Sequence, residues 1–355
     1  MITTRVVYLD IGAITVEETE LPELEPNEVL IKTHQASVCG SERFYYRGVT
    51  VNPEDEAKGE GPWPKQVDEG RNQRAYAYPM GPLGHEGGGT IEEIGNGVEE
   101  YLGGGKVRIG DRVGSLIYPT YSDYWVAHIS KVQPIPAGVS FEVGCLYEPL
   151  GCAAWAAIHM GVRLGDTVAV NGVGFAGNIL LQGAIRAGAS RTFAIDIDDR
   201  KLRVATELGA DHVINALESD PAKAVHELTH GEGVDVSGEA VGGTGKGLKQ
   251  AYDMVCHNGL LALYGDNYAP VSEFCFHRFH EDGLEVRNLN AVHYTGLRSV
   301  ENMREAYRAV ERGVFNLDII FENSNRYSLD QIADVFADEA KHSQAQSSLK
   351  TIITP

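Results

Sequence analysis

The sequence has few cysteines, a deficit of basic residues and no long apolar run. Its five cysteines are scattered over 355 residues, a pattern typical of a reducing compartment rather than of a disulfide framework. Lysine and arginine number 30 against 50 acidic residues, a formal net charge of -20, which argues against nucleic acids and anionic membranes as partners. No stretch approaches the ~20 apolar residues of a membrane helix, and the N-terminus shows no secretory signal. These absences predict a cytoplasmic protein.

The order of the apolar patterns predicts two domains. Short alternating segments such as "RVVYLD", "ITVEETE" and "EVLIKTHQAS" predict an antiparallel β domain of roughly 150 residues. From Phe141 the chain reads as a buried helix, followed by alternating strand and helix signals that predict a parallel sheet with right-handed crossovers. A helix after Leu297 and a terminal strand "SLKTIIT" end the chain. The segment from Val49 to Met80 is rich in glycine, proline and charge, which predicts a long loop.

A glycine array follows the first strand of the predicted parallel sheet. The stretch "NGVGFAG" places Gly172, Gly174 and Gly177 in a G-x-G-x-x-G pattern, with Phe175 and Ala176 inside it. Gly172 permits a tight turn, Gly174 lets the backbone approach a pyrophosphate, and Gly177 lets the helix pack close to the strand. The start of the helix then offers free N–H groups to the phosphates. The array predicts a dinucleotide site; the alternative is a packing turn that binds nothing.

An acidic residue lies where a dinucleotide site needs one. Asp196 comes 19 residues after Gly177 (196 − 177), at the end of the next predicted strand, where a carboxylate accepts hydrogen bonds from the adenosine ribose. Because that carboxylate repels a 2′-phosphate, NAD is favoured over NADP. Asp198 and Asp199 strengthen this preference, while Arg200 and Lys201 oppose it in part. Lys201 is also among the predicted cofactor-binding residues.

Four residues have the side chains that a catalytic zinc site uses. They are Cys39 in "SVCGSE", His85 and Glu86 in "LGHEGGG", and Glu148 in "LYEPLG". Zinc accepts such ligands in open sites, where one position is left for water or substrate. No pair among them has the close spacing of a zinc finger, and a single buried cysteine is more often part of a core. The residues alone leave both a zinc site and an ordinary turn open.

Six stretches stand in a shared order along nearly the whole chain: "VCGSE", "GHEGGGTIEEIGNGV", "GDRV", "EPLGCA", "NGVGFAGNILLQGAIRAGA" and "DIDDRKLRVATELGAD". By them the sequence resembles the zinc-dependent medium-chain dehydrogenase/reductase superfamily, in its polyol (sorbitol-type) or sugar dehydrogenase branch. The resemblance implies an α/β fold with a GroES-like antiparallel β catalytic domain, residues 1–155 and 297–355. It also implies a doubly wound Rossmann domain, residues 156–296, that is expected to bind NAD. The resemblance also implies a homodimer or homotetramer.

The same resemblance suggests the metal ligands. Cys39 and His85 match zinc ligands of the family, Glu148 stands at the third-ligand position, and Glu86 matches a carboxylate that some polyol enzymes use instead. Many relatives carry a second, structural zinc in a lobe with four cysteines. This chain has no cysteine between Cys39 and Cys145. We therefore expect one catalytic zinc and no structural zinc.

The implied reaction transfers a hydride from a secondary alcohol of a polyol, cyclitol or sugar to NAD+. By the resemblance, Ser41 binds the substrate oxygen and takes its proton, and Glu42 orients the zinc-bound imidazole. The nicotinamide lies near Ala240 and Val241, at the end of the fourth Rossmann strand. Relatives often have a relay histidine where this chain has Phe44, so the outward route of the proton is not assigned.

Several alternatives stay open at this point. The loop of residues 49–80 either shapes the substrate pocket or serves as a surface or subunit contact. The chain is alternatively a zinc-free NADPH-dependent quinone or enone reductase of the same superfamily. A third possibility is a dinucleotide-binding relative without turnover.

Overall fold

The structure is a computed structural model that describes residues 2–47, 79, 81–116, 119–243, 245–267, 275–291, 296–341 and 348–355. The predicted loop of residues 49–80 lies outside the described residues, except for Pro79. No helix in the described ranges is long and apolar enough to cross a bilayer.

The N-terminal half and the C-terminal end of the chain share one sheet. Its order is β14-β15-β3-β4-β5-β7, with β6 pairing to β3. Strand β3 buries Val29 and Ile31 in one apolar cluster with Ile91 and Trp125, because alternate residues of a strand face the same side. The strands are β3 (Glu28–Ser37), β4 (Gly87–Ile94), β5 (Arg112–Ser115), β6 (Tyr124–His128), β7 (Val132–Pro134), β14 (Asn325–Ser328) and β15 (Thr351–Thr354), and a separate hairpin holds β1 (Thr3–Asp10) and β2 (Ala13–Glu20).

This sheet is antiparallel, as predicted, except at one edge. Strands β14 and β15 pair in parallel. The reason is helix α11 (Ile332–Lys341), which lies between them in the chain and was not predicted. A parallel pair needs such a crossover connection, whereas an antiparallel pair needs only a tight turn.

The middle of the chain forms a six-stranded sheet in the order β10-β9-β8-β11-β12-β13, and every pairing in it is parallel. The order reverses beside β8, so a crevice is expected at the carboxyl ends of β8 and β11. These strands are β8 (Thr167–Asn171), β9 (Arg191–Asp196), β10 (His212–Asn215), β11 (Val234–Glu239), β12 (Val255–Leu263) and β13 (Glu285–Asn288). The doubly wound Rossmann prediction is confirmed.

Helices cover both faces of the parallel sheet. Val168 and Val170 of β8 pack in one cluster with α4 and α5, whereas Ala169 packs on the opposite face with α6 and α7. Both faces of the sheet are therefore apolar, as parallel sheets require. The helices are α4 (Phe175–Ala187), α5 (Asp199–Glu207), α6 (Pro221–Leu228), α7 (Lys246–Met254) and α8 (Phe276–Glu281).

A helix between the two sheets joins them. The predicted buried helix from Phe141 is two helices, α2 (Phe141–Gly144) and α3 (Tyr147–His159). Helix α3 buries Leu150 and Ala154 in a cluster that also contains Phe175 of α4 and Met303 of α9 (Gly296–Glu311). Glu148 therefore lies in the first turn of a helix that is fixed by both halves of the molecule. The described elements also include α1 (Gly40–Tyr46), α10 (Asp318–Glu322), and short 3-10 turns at Ile129–Lys131 and Leu329–Gln331.

Candidate active site

The pairing of β3 with β4 brings the cysteine and the histidine together. Ala36, near the end of β3, lies opposite Gly87, the first residue of β4. Cys39 follows β3 and His85 precedes β4, so both residues lie at the same end of the ladder that these two strands form. The ligand atoms of Cys39, His85 and Glu86 are all within 4.8 Å of one another.

The glycines around His85 have a steric reason. Gly84 has a φ of +94°, and a Cβ on it would lie 2.5 Å from the backbone nitrogen of Tyr121. A Cβ on Gly87 would lie 2.7 Å from Thr120. The segment after Pro119 therefore packs directly against the His85 turn, and only glycine allows that approach. The turn holds His85 and Glu86 rigidly.

Glu42 orients the imidazole of His85. Its carboxylate is fully buried; Oε1 lies 3.1 Å from Nδ1 of His85, and Oε2 accepts hydrogen bonds from the Cys39 backbone N–H at 3.2 Å and the Tyr121 hydroxyl at 2.5 Å. Burial lowers the pKa of His85, but the negative charges of Cys39 and Glu42 outweigh it and raise that pKa well above its usual value. With Nδ1 held by a carboxylate, Nε2 is the nitrogen suited to a metal.

The carboxylate of Glu86 is fixed by two partners that the sequence did not indicate. Its Oε2 accepts a hydrogen bond from Ser37 at 2.5 Å and lies 2.6 Å from the ammonium of Lys350. Burial raises the pKa of Glu86, but the charges of Lys350 and His85 exceed that effect and lower it. Glu86 is therefore held as a buried carboxylate beside Cys39 and His85.

Glu148 lies beside this group rather than within it. Among the described residues the close cluster contains Cys39, His85 and Glu86, while Oε1 of Glu148 accepts a hydrogen bond from the Cys152 thiol at 3.1 Å. Burial raises the pKa of Glu148, and the charge of Glu86 adds to that rise. The like charge of the neighbouring Glu86 disfavours ionisation of Glu148, whereas the charge of His85 favours it.

The donor set fits a zinc ion. Atoms that are each ~2.0–2.3 Å from one ion are at most about 4.6 Å apart, close to the 4.8 Å limit that encloses the three donors. Thiolate, imidazole and carboxylate are ligand types that zinc takes, and three protein ligands leave a fourth position open. Ser41 lies next to the cluster, with its hydroxyl donating to Sγ of Cys39 at 3.3 Å. Phe44 stands where relatives often have a relay histidine, and its side chain lies outside the described part of the chain.

The glycine array has the shape of a phosphate cradle. Gly172 has a φ of +89°, and a Cβ on Gly177 would lie 1.8 Å from the Gly172 carbonyl oxygen, so strand and helix meet here in backbone contact. A Cβ on Gly174 would meet nothing within 4 Å and would project into open space above the turn. Phe175 and Ala176 begin α4, so the first free N–H groups of that helix lie at this space. This arrangement fits a pyrophosphate.

Asp196 lies at the end of β9, next to the glycine turn. Its Oδ2 accepts from the Val173 N–H at 3.0 Å, and its Oδ1 accepts from the Ile197 N–H at 2.8 Å. The ammonium of Lys201 lies 3.8 Å from Oδ1. Oδ1 also accepts from the Asp198 N–H at 3.1 Å, so the remaining acceptor capacity for a ribose is the second lone pair of Oδ2. The structure therefore brings Asp196 and Lys201 together beside the cradle.

The two acids after Asp196 have local roles that the sequence did not indicate. Asp198 is the N-cap of α5, where its side chain accepts from the Arg200 N–H. Asp199 accepts a hydrogen bond from Asn215 at 2.7 Å. Both still contribute negative charge near the ribose position, but their side chains also serve the helix start.

Ala240 and Val241 lie behind the glycine turn. A Cβ on Gly172 would lie 2.8 Å from Cγ2 of Val241 and 3.0 Å from the Ala240 carbonyl carbon. The fully buried Glu239 fixes this segment, because its Oε1 accepts from the backbone N–H groups of Val241 and Gly242, both at 2.8 Å. Glu239 is not among the predicted site residues, although a carboxylate at the end of a buried strand is itself a signal of a special site.

Two family models match the chain. The model described as "Alcohol dehydrogenase GroES-like domain" matches residues 25–160, and the model described as "Zinc-binding dehydrogenase" matches residues 176–312. The first range contains Cys39, His85 and Glu148, and the second contains Asp196.

The chain is also similar to curated proteins and solved structures. It is 30% identical to an alcohol dehydrogenase of Geobacillus stearothermophilus, over 71% of this chain and 74% of the relative. It is 26% identical to a sorbitol dehydrogenase of Bacillus subtilis, over 71% and 72%. The crystal structure of 2R,3R-butanediol dehydrogenase from Bacillus subtilis superposes with a TM-score of 0.75 at 22% identity, covering 99% of both chains. At 22% identity, the similarity to this crystal structure shows the fold alone.

Proposed function

Because the chain belongs to the zinc-dependent medium-chain dehydrogenase/reductase superfamily, we propose that it oxidises a secondary alcohol of a polyol, cyclitol or sugar with NAD+. The observation that carries this proposal is the close group of Cys39, His85 and Glu86, which lies beside the junction of the two sheets. The alcohol and sorbitol dehydrogenases among its relatives support the substrate class.

Cys39 and His85 would hold the zinc ion, with Glu86 as the nearest carboxylate. A zinc ion bound there supplies Lewis acidity that lowers the pKa of a substrate hydroxyl. Lys350 and Ser37 fix one oxygen of Glu86, which leaves the other oxygen available as a ligand. Glu148 is the alternative carboxylate.

The chain's own residues then position and deprotonate the alcohol. Glu42 keeps Nδ1 of His85 engaged, so that Nε2 faces the group of ligands. Ser41 turns its hydroxyl from Cys39 towards the substrate oxygen, accepts the proton and releases its own hydroxyl proton outward to water, because its Oγ is already beside the cluster. The fixed donors and acceptors cost no reorganisation when charge develops.

The nicotinamide cofactor would bind along the glycine turn. Gly174 leaves room for the pyrophosphate, and the carboxylate of Asp196 receives the adenosine ribose and disfavours a 2′-phosphate. A nicotinamide bound beside Ala240 and Val241 would supply the hydride acceptor. NAD is therefore the proposed cofactor. The homodimer or homotetramer, the cytoplasmic location and the absence of a structural zinc stay predictions.

Zinc content is the experiment that tests this proposal. Elemental analysis of protein never exposed to a chelator is expected to give about one zinc per chain, and NADH absorbance should rise when polyols are added with NAD+. Cys39→Ala should lose the zinc and the turnover but retain NADH binding, because the glycine turn is separate. Cys275→Ala, at an exposed cysteine, is the matched control and should keep both. Wild-type protein without zinc, or an active Cys39→Ala, would refute the assignment.

A further inference from the structure

Tyr264 reaches from the parallel sheet towards the metal cluster. It is the first residue after β12, so it lies at the carboxyl edge of the sheet where Asp196 and Glu239 also lie. Its side chain packs both against the apolar cluster that contains Leu150 of α3 and against the cluster of the parallel sheet. The phenol therefore lies in the cleft between the two sheets.

The packing of the phenol relates it to the carboxylate of α3. Tyr264 and Cys152 of α3 pack against the same apolar cluster, and the Cys152 thiol donates a hydrogen bond to Glu148 at 3.1 Å. The phenol therefore lies on the side of the cleft that carries Glu148. In agreement with this position, burial raises the pKa of Tyr264 above its ordinary value, and the negative charges of Cys152, Glu148 and Cys39 add to the rise.

The hydroxyl of Tyr264 has no hydrogen-bond partner within the described part of the chain. The hydroxyls of Tyr121 and Tyr101 donate to Glu42 and Asp111, whereas the hydroxyl of Tyr307 is fully buried without a partner among the described residues. The Tyr264 oxygen is not among the fully buried polar atoms without a partner, so it opens into the cleft. Water or a bound ligand can accept its hydrogen bond there.

The backbone around Tyr264 is held firmly. Its N–H and that of Gly265 both donate to the Glu239 carbonyl oxygen, at 2.9 and 3.0 Å. Oε2 of Glu239 accepts a hydrogen bond from Asn267 at 2.7 Å, while its Oε1 holds the Val241 segment. One buried acid thus ties the loop after β12 to the loop that borders the nicotinamide position. A group placed this rigidly is suited to selecting a ligand.

We propose that Tyr264 determines substrate specificity by donating a hydrogen bond to a second oxygen of the substrate, beside the carbinol that reacts. The reacting oxygen already has Ser41 on the side of the zinc ligands, whereas Tyr264 approaches from the cofactor side of the cleft. The substrate class that this favours is a vicinal diol or a larger polyol over a simple alcohol. This inference rests on the proposed function.

The test uses 2,3-butanediol and 2-butanol, which share a carbon skeleton and differ by one hydroxyl. In Tyr264→Phe, KM for the diol should rise about 3- to 10-fold, the loss expected for one neutral hydrogen bond, and KM for 2-butanol should stay unchanged. Binding of each alcohol to the zinc-loaded enzyme with NADH, measured by calorimetry, should show the same difference without turnover. Tyr101→Phe removes a tyrosine hydroxyl away from the cluster and should change neither.

Each contrary result has a distinct meaning. Equal losses for the diol and 2-butanol, or no loss for either, would overturn the role of Tyr264, as would a wild-type enzyme with no preference for the diol. Weaker NADH binding in Tyr264→Phe would assign the phenol to the cofactor and would also overturn it. Failure of the wild-type protein to oxidise any polyol would refute the proposed function, while the binding measurements would still decide the inference.

Discussion

Alanine substitutions at Gly174 and Gly177, three residues apart (177 − 174), should have opposite consequences, and the pair tests the phosphate cradle. Gly174 has φ −70° and ψ −156°, an extended conformation open to alanine, and a Cβ there meets nothing within 4 Å. Gly174→Ala should therefore change the free energy of unfolding by no more than about 0.5 kcal/mol. A Cβ on Gly177 would lie 1.8 Å from the backbone oxygen of Gly172, so Gly177→Ala should destabilise the fold by about 1–3 kcal/mol or more.

At Gly174 the substitution should weaken cofactor binding, although it leaves the stability of the free protein unchanged. If the open space above that residue receives the pyrophosphate, the new methyl group overpacks the complex at a cost of about 1–3 kcal/mol. Since 1.4 kcal/mol corresponds to a factor of ten, NADH should bind about 5- to 150-fold more weakly. The free protein would be as stable as the wild type, yet the complex would be weak.

The assays are urea unfolding without cofactor and an NADH fluorescence titration of the folded protein. Gly138→Ala is the matched control, since its Cβ would meet only the flexible Glu311 side chain, at 3.3 Å, and the site lies outside the glycine turn. Wild-type NADH affinity in Gly174→Ala would refute the cradle. A loss of stability in Gly174→Ala as large as in Gly177→Ala would refute the steric argument.

Three further outcomes follow from the described contacts. Glu42→Gln should weaken zinc binding about 10- to 100-fold in a chelator competition, because the imidazole loses its charged orienting partner. Lys350→Met should raise the pKa of Glu86 and make zinc retention fall at a higher pH than in the wild type, since the ammonium favours the ionised carboxylate. Asp123→Asn should lose stability at neutral pH: a hydrogen bond from Arg5 lowers the pKa of Asp123, so that contribution is present above the ordinary aspartate pKa and is lost as pH falls through the lowered value. Urea unfolding at neutral and acidic pH should show the two proteins converging in acid.

Local sequence determined the parts of this structure that depend on a few consecutive residues. The glycine array between β8 and α4 needs φ > 0 at Gly172 and backbone contact at Gly177, and glycine alone supplies both, so the array predicted the turn and the confirmed Rossmann sheet. The same holds for the turn at His85, where Gly84 and Gly87 allow close packing. The alternation of apolar and polar residues predicted the strands of the other sheet, because this pattern also depends only on consecutive residues.

Distant residues could not be found in this way. Lys350 precedes β15 at the end of the chain, and only the pairing of β15 with β3 brings it to Glu86. The parallel pairing of β14 with β15 also escaped prediction, because it depends on the crossover through helix α11 rather than on a local motif. A lysine in "SLKTIIT" carries no local signal that distinguishes it from a surface lysine.

The environments of Lys350 and Glu148, which no local motif predicts, have a common physical cause. A metal site with a thiolate and carboxylates gathers negative charge in a place with little water, and that charge needs compensation when no cation is bound. Lys350 supplies a positive charge at Glu86, and burial raises the pKa of Glu148. Each of these effects depends on how the sheets and α3 meet rather than on any motif. The residue types of the close cluster could therefore be read from the sequence, whereas the charge balance that lets them share one buried site belongs to the tertiary structure.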